Sequence, residues 1–126
     1  MIKKLTPVLI VDVIEPILPL WESIGFQRTA QVPHGERLGF VILQSGSAEV
    51  MYQTFDSVRA DEPKSLEGPR AIGASSVFVE VEKLDAVKVP PGTDVIVERR
   101  KTFYGSTEMI VRDAAGNVVV LAEMEK

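Results

Sequence analysis

One histidine and no cysteine among 126 residues leave few routes to chemistry. Lack of cysteine removes disulfides, thiolate metal sites and thiol nucleophiles together. His34 stands in Pro33-His34-Gly35-Glu36, a turn pattern, and reads as a surface side chain. One loop histidine cannot serve a Ser-His-Asp set. The chain also has no glycine loop of the Walker or dinucleotide type. Among aromatic residues, Phe103 and Tyr104 precede Gly105 in a loop, where rings can fold over a bound molecule and the Tyr104 hydroxyl can donate a hydrogen bond. Trp21 keeps helical spacing with Leu18 and Ile24, which points to packing instead. Phe40 and Phe55 are further contact candidates.

The length suits a single folding unit. Hydrophobic residues make up 45% and charged residues 25%, and the net charge is −4, a balance that argues against disorder. Arg99-Arg100-Lys101 is the basic run, too short for a nucleic-acid footprint. Residues 7–20 are apolar but broken by Asp12, Glu15 and three prolines, so no membrane span is expected. Without the small-residue cleavage pattern of a signal peptide, the expected location is cytoplasmic.

Leu5 to Val11 is a nearly continuous apolar run, the pattern of a strand covered on both faces. Asp12 with Glu15 three residues on suggests a capped helix start. The helix carries Ile14, Ile17, Leu18, Trp21 and Ile24 on one face and stops at Gly25, with Pro19 expected to kink it. Strands are expected over 26–32, 38–44 and 48–54, the last two joined by Ser45-Gly46-Ser47. Residues 56–73 lack periodicity and read as a linker. The order then returns: a strand over 76–81, a short helix over 82–88 cut off by Pro90-Pro91-Gly92, and strands over 94–101, 108–113 and 118–123. The chain is thus expected to be α+β, two tandem βαβββ modules with curved mixed sheets forming a cup-shaped site. Module one covers about 1–55, the linker about 56–73 and module two about 74–126.

Four segments carry a resemblance: Val8-Leu9-Ile10-Val11-Asp12, Leu20-Trp21-Glu22-Ser23-Ile24-Gly25-Phe26, Phe103-Tyr104-Gly105 and, above all, Val111-Arg112-Asp113-Ala114-Ala115-Gly116-Asn117-Val118. Together they resemble the glyoxalase/bleomycin-resistance (vicinal-oxygen-chelate) superfamily, with Ala114 in place of the usual proline and a truncated second helix as departures. Asp113 to Gly116 also suffices on its own as a hairpin turn, so Gly116 and Asn117 mark the fold. The resemblance implies one divalent ion held by the first and last strands of each module. The matching positions are Thr6, Glu49, Ser76 and Val120, and of these Glu49 alone is a credible ligand. Glu123 is off-phase with Val120 and should face the opposite side, and Glu80 lies four residues beyond Ser76. No metal and no cofactor are therefore expected.

Strand alternation from these positions gives an expected lining of Thr6, Val8, Ile10, Glu49, Met51, Gln53, Ser76, Phe78, Glu80, Val118, Val120 and Ala122. The ligand-binding candidates are Glu49, Met51, Phe78, Phe103, Tyr104 and Val120. A carboxylate such as Glu49 in an apolar cup requires a raised pKa, a basic ligand group, or a partner such as Arg100 or Arg112. The resemblance then implies a metal-free small-molecule binding protein similar to bleomycin-resistance proteins, which sequester a cationic drug. The alternative is a lyase, isomerase or dioxygenase of the superfamily with an altered site. A homodimer is also implied, since relatives build cups across two chains and the short second helix leaves apolar area to cover. Nucleic acid and membrane are not expected partners.

Overall fold

The computed structural model describes residues 4–66 and 75–125, without the side chains of residues 65 and 66. It divides into two units, Met1–Ala71 and Ile72–Lys126.

In the first unit, β1 (Val8–Val11) leads through a 3-10 turn (Glu15–Ile17) into α1 (Leu18–Ser23), followed by β2 (Gln27–His34), β3 (Arg37–Ser45) and β4 (Ala48–Thr54). The sheet order is β1-β4-β3-β2, with β1 parallel to β4 and the remaining pairs antiparallel. In the second unit, β5 (Ser76–Glu80), a 3-10 turn (Leu84–Ala86), β6 (Asp94–Lys101), β7 (Ser106–Arg112) and β8 (Val118–Met124) repeat this plan in the order β5-β8-β7-β6. Again the first strand pairs with the last in parallel. The fold is α+β with two βαβββ-like modules.

Alternation along the strands builds each core. In the first unit Leu9, Val11, Val41, Leu43, Val50 and Tyr52 are buried on one sheet face, the face that receives Ile14, Ile17, Leu18 and Trp21. Trp21 donates from Nε1 to the Tyr52 hydroxyl at 2.9 Å and meets Phe26 edge-on, with centroids 4.9 Å apart. Trp21 is therefore core. In the second unit Val111, Val119, Leu121 and Leu84 form the smaller equivalent.

Four local readings are corrected. Asp12 does not start a capped helix: the 3-10 turn has no side-chain cap, and Glu15 instead accepts from the backbone N–H of Leu38 at 2.7 Å. The kink expected at Pro19 takes the form of a break. Pro16 occupies the first turn of the 3-10 segment and Pro19 the first turn of α1, where a missing N–H costs nothing. The stretch read as a linker begins with a second helix, α2 (Phe55–Asp61), capped by Thr54, whose hydroxyl accepts from the Ser57 N–H. Phe55 and Val58, three apart, bury its inner side, a period too short to register against a polar background. A 3-10 turn follows over Pro63–Leu66, and the rest of that stretch, from residue 67 to residue 73, lies outside the described residues. The second helix expected over 82–88 is reduced to one 3-10 turn before Pro90-Pro91-Gly92.

The turn after β7 forms as the sequence suggests. Asp113 accepts at Oδ1 from the N–H groups of Ala115 and Asn117, both at 2.9 Å, and Gly116 takes a φ of 91°.

Candidate functional site

Parity places the expected lining on one face of each sheet. Val8, Ile10, Glu49, Met51, Gln53, Ser76, Phe78, Glu80, Val118 and Val120 are all partly or fully exposed, while Leu9, Val11, Val50, Tyr52, Val119 and Leu121, which alternate with them, are buried. Ala122 departs from this, being fully buried. The outward faces are therefore the sides away from the two cores.

Strand register arranges the first unit's outward face in rows. Val8, Met51, Ile42 and Ala30 lie side by side across the sheet, and Ile10, Gln53, Phe40 and Val32 form the next row. Both rows are mainly apolar. At their end Glu49 pairs with Gln44 in the register. Its carboxylate accepts from the Thr6 hydroxyl at 2.9 Å and from the Gln44 amide, and Lys4 Nζ lies 2.8 Å from Oε2. These hydrogen bonds, led by that from Lys4, hold the Glu49 carboxyl below its ordinary value. The raised pKa considered for Glu49 is thus overturned, and its partner is neither Arg100 nor Arg112. Arg112 lies near Asp94, at 3.9 Å, and donates to the Gly116 carbonyl.

A divalent ion does not fit these groups. The single carboxylate among the carried-over positions already faces an ammonium and two neutral donors. Thr6 stands beside Glu49, but Ser76 pairs with Val118 and Val120 pairs with Phe78, so the second module places no donor next to Val120. Among the described residues no three His, Asp or Glu side chains converge as a metal site would require. Glu123 faces the opposite side, as its phase demands, and accepts from the Leu84 N–H at 2.7 Å. His34 closes β2 and is exposed, where it borders a hollow of about 260 Å³ shared with Asp12, Arg37 and Asp56.

The second unit's outward face holds the richest chemistry. Its rows run Ser76, Val118, Arg112, Asp94; then Phe78, Val120, Ile110, Val97; then Glu80, Ala122, Glu108, Arg100. An apolar stripe lies between two polar ones. Phe78 is 52% exposed on the stripe. Beyond the third row, Phe103 is fully exposed at the β6–β7 turn and meets Tyr104 edge-on at 5.2 Å.

Glu108 is completely buried in this face. Arg100 donates to its Oε1 from Nε at 3.0 Å and from Nη2 at 2.8 Å; Ser106 donates to Oε2 at 2.8 Å, and the Tyr104 hydroxyl donates to the same oxygen. Ser106 is joined in turn to the Thr102 hydroxyl at 2.7 Å. Burial alone would push the Glu108 carboxyl up. The hydrogen bonds from Tyr104, Ser106 and Arg100, with the Arg100 charge, outweigh it and hold the group below its ordinary value. The Tyr104 donor foreseen for a ligand is thus engaged within the chain, although the residue remains 45% exposed. Of the other aromatic candidates, Phe55 is buried in the α2 packing and Phe40 is partly open on the first unit's face.

Sequence reasoning did not single out Glu108. Beginning β7 at Glu108 instead of Ser106 hid the signal, since Ser106, Glu108 and Ile110 alternate onto the same face as Val120. An acid between Thr107 and Met109 in an otherwise apolar strand was the visible trace.

Solved structures with this chain's topology span nearly its whole length. A glyoxalase/bleomycin resistance protein/dioxygenase family enzyme from Burkholderia phytofirmans matches with a TM-score of 0.73 at 16% identity, over 95% of this chain and 97% of its own. A glyoxalase/bleomycin resistance protein/dioxygenase from Nocardioides matches at 0.69 and 12% identity, over 100% and 86%. The chain has the glyoxalase/bleomycin-resistance fold. TioX from Micromonospora sp. ML1 shares that fold, with a TM-score of 0.73 and 18% identity over 98% of this chain and 99% of its own. No protein-family model matches the sequence, and no curated protein does either. The glyoxalase/bleomycin-resistance fold hosts several chemistries, so what this chain does rests on its own side chains.

Proposed function

We propose that this protein binds a small organic molecule with an apolar body, without a metal ion, and acts by sequestration as the resemblance to bleomycin-resistance proteins implies. The observation that carries this reading is the stripe of Phe78, Val120, Ile110 and Val97, left open on the side of the sheet away from buried Val111, Val119 and Leu121. Covering a half-exposed phenylalanine and its aliphatic neighbours gives a ligand roughly 2 kcal/mol per large side chain buried. Phe103 and Tyr104 supply aromatic surface beyond the polar row that borders this stripe. In the first unit Met51 lies in an equivalent apolar row, and Glu49 borders it. Because Lys4 already answers the Glu49 charge, a basic ligand group there must displace Lys4.

A thermal-shift panel of cationic, neutral and anionic amphiphiles tests this reading. Compounds that bind the folded protein raise its Tm by mass action, and Phe78→Ala is expected to remove that rise. A panel without a hit, or hits indifferent to Phe78→Ala, would overturn it.

We propose further that the working unit is a homodimer. Supporting this is the uncovered helix-side surface of the second unit: a hollow of about 490 Å³ lined by Leu84, Val87 and Met109 with Asp85, Glu98 and Arg99, in a unit whose helix is one turn long. Its mixed charges suit an isologous contact, in which each patch meets its own copy. Sedimentation equilibrium is expected to give twice the 13.8 kDa chain mass, and a species that stays at the chain mass would refute it.

A further inference from the structure

Three observations single out Arg100. Its side chain is half exposed (48%), although that of its partner Glu108 is completely buried. Nε and Nη2 both turn to one oxygen of Glu108, so that edge of the guanidinium is committed to the protein. The other edge, Nη1 with the second hydrogen of Nη2, meets no second acid among the described residues, where the Tyr104 hydroxyl is the guanidinium's one further side-chain partner. That edge is a planar two-donor fork, the geometry that meets a carboxylate or phosphate through two parallel hydrogen bonds.

Stability alone does not explain the arrangement. A buried ion pair on a sheet face is worth little over well-packed apolar side chains, because desolvation consumes the Coulombic gain. What the network supplies is orientation. Tyr104, Ser106 and, behind it, Thr102 fix the carboxylate, and the carboxylate fixes the guanidinium. A positively charged fork is thereby held in one pose on the row next to the apolar stripe. The two rows are two residues apart on β5, β8 and β7, about 7 Å at the usual rise, and three apart on β6, where a bulge falls between Val97 and Arg100.

We propose that Arg100 is the recognition group of the second unit's outward face and that its ligand carries an oxyanion, a carboxylate or its equivalent, a short distance from an apolar or aromatic body. The body lies on Val97 and Ile110, the stripe residues on the Arg100 strand and the one beside it, and the oxyanion on the outer edge of Arg100, with the Tyr104 ring beside it. Glu108 and Tyr104 act as positioning residues. This inference rests on the binding reading above but reverses the sign of the ligand charge that the family resemblance implies. Glu80, the free acid of the same row, stands three strands from Arg100, about 14 Å away at the usual strand spacing, too far to cancel its charge.

A matched series tests it: naphthylacetate, naphthylacetamide and naphthylethylamine, titrated into the full chain by calorimetry. Naphthylacetate is expected to bind at least about tenfold tighter than the other two, the size of effect of one charge-assisted bidentate contact. Arg100→Gln is expected to abolish that preference, bringing naphthylacetate down to the affinity of naphthylacetamide. Arg100→Lys, which keeps the charge and loses the fork, is expected to restore only part of it. Glu108→Gln should weaken naphthylacetate binding alone, which a purely structural role would not do. Circular dichroism melts establish that each variant folds; if Arg100→Gln does not, the Arg100→Lys comparison and the wild-type ranking decide. Tighter binding of the amine, or a preference for acetate that survives Arg100→Lys in full, overturns the oxyanion inference and leaves the binding reading standing. Failure of all three probes to bind overturns both.

Discussion

Lys4 Nζ stands 2.8 Å from Oε2 of Glu49, while Thr6 holds Oε1 at 2.9 Å. The only acid at a carried-over metal position is therefore already paired, and a divalent cation would have to expel an ammonium to reach it. One carboxylate cannot replace the several converging donors that such an ion needs. After incubation with zinc or manganese and gel filtration, elemental analysis is expected to find far less than one metal per chain. Stoichiometric metal that disappears in Glu49→Gln would show that the site works in spite of Lys4.

The architecture was legible because it is written twice. The apolar runs at Val8–Val11 and Ser76–Glu80, the polar breaks, and the Asp113–Gly116 turn place seven of the eight strands within a few residues of their observed bounds, and β1 starts three residues late. Parity then carried the outward face, since one residue's phase decides all its neighbours. Helices were less legible. Pro16 and Pro19 obscure a 3-10 turn that runs into α1, and α2 buries only Phe55 and Val58. The pairings of Glu49 and Glu108 could not be read at all. Lys4 lies in an irregular segment, and Arg100 reaches Glu108 across a β6–β7 register interrupted by bulges, which strand alternation does not foresee.

Acid should unfold this protein partly through Glu108. Its carboxyl is held below the ordinary value of 4.5 in the folded state. Stability from that shift is therefore complete above the unfolded value and is lost as pH falls through the folded one. Urea unfolding of the wild type and Glu108→Gln between about pH 7 and about pH 3 should show a stability gap that is constant at the upper end and shrinks below the ordinary carboxylate range. Glu49 and Glu15 are shifted in the same direction, so the wild-type acid limb is steeper than Glu108 alone would make it. A gap that widens on acidification would mean that Glu108 is held neutral.

Trp21 fastens the helix side of the first unit to its sheet. Buried to 1% exposure, it donates to Tyr52 and packs edge-on against Phe26. Trp21→Phe keeps most of the apolar volume but removes the donor, and should cost about 1–3 kcal/mol. Trp21→Ala also opens a cavity and should cost about 3–5 kcal/mol. Circular dichroism in denaturant measures both without relying on the chain's one tryptophan. Equal losses for the two variants would show that the ring's bulk matters little and the hydrogen bond carries the contact.

Gly39 has no unusual backbone conformation, so its role is one of space. A Cβ built there would sit 2.6 Å from the His34 Cβ and 3.1 Å from the Ser57 Cβ on α2. Two opposed effects meet at this position. Replacing glycine by alanine stabilises a compatible strand site by about 0.4–1 kcal/mol through the unfolded chain. Forcing an extra methyl into a closed contact costs about 1–3 kcal/mol. At 2.6 Å from a β-carbon, which cannot swing away as a side-chain tip can, the second effect should win. Gly39→Ala is thus expected to lower the urea midpoint. Adding His34→Gly removes the nearer obstacle, so the double variant should recover part of the loss beyond what additivity allows. An alanine variant more stable than the wild type would mean that β2 and α2 yield freely around Gly39.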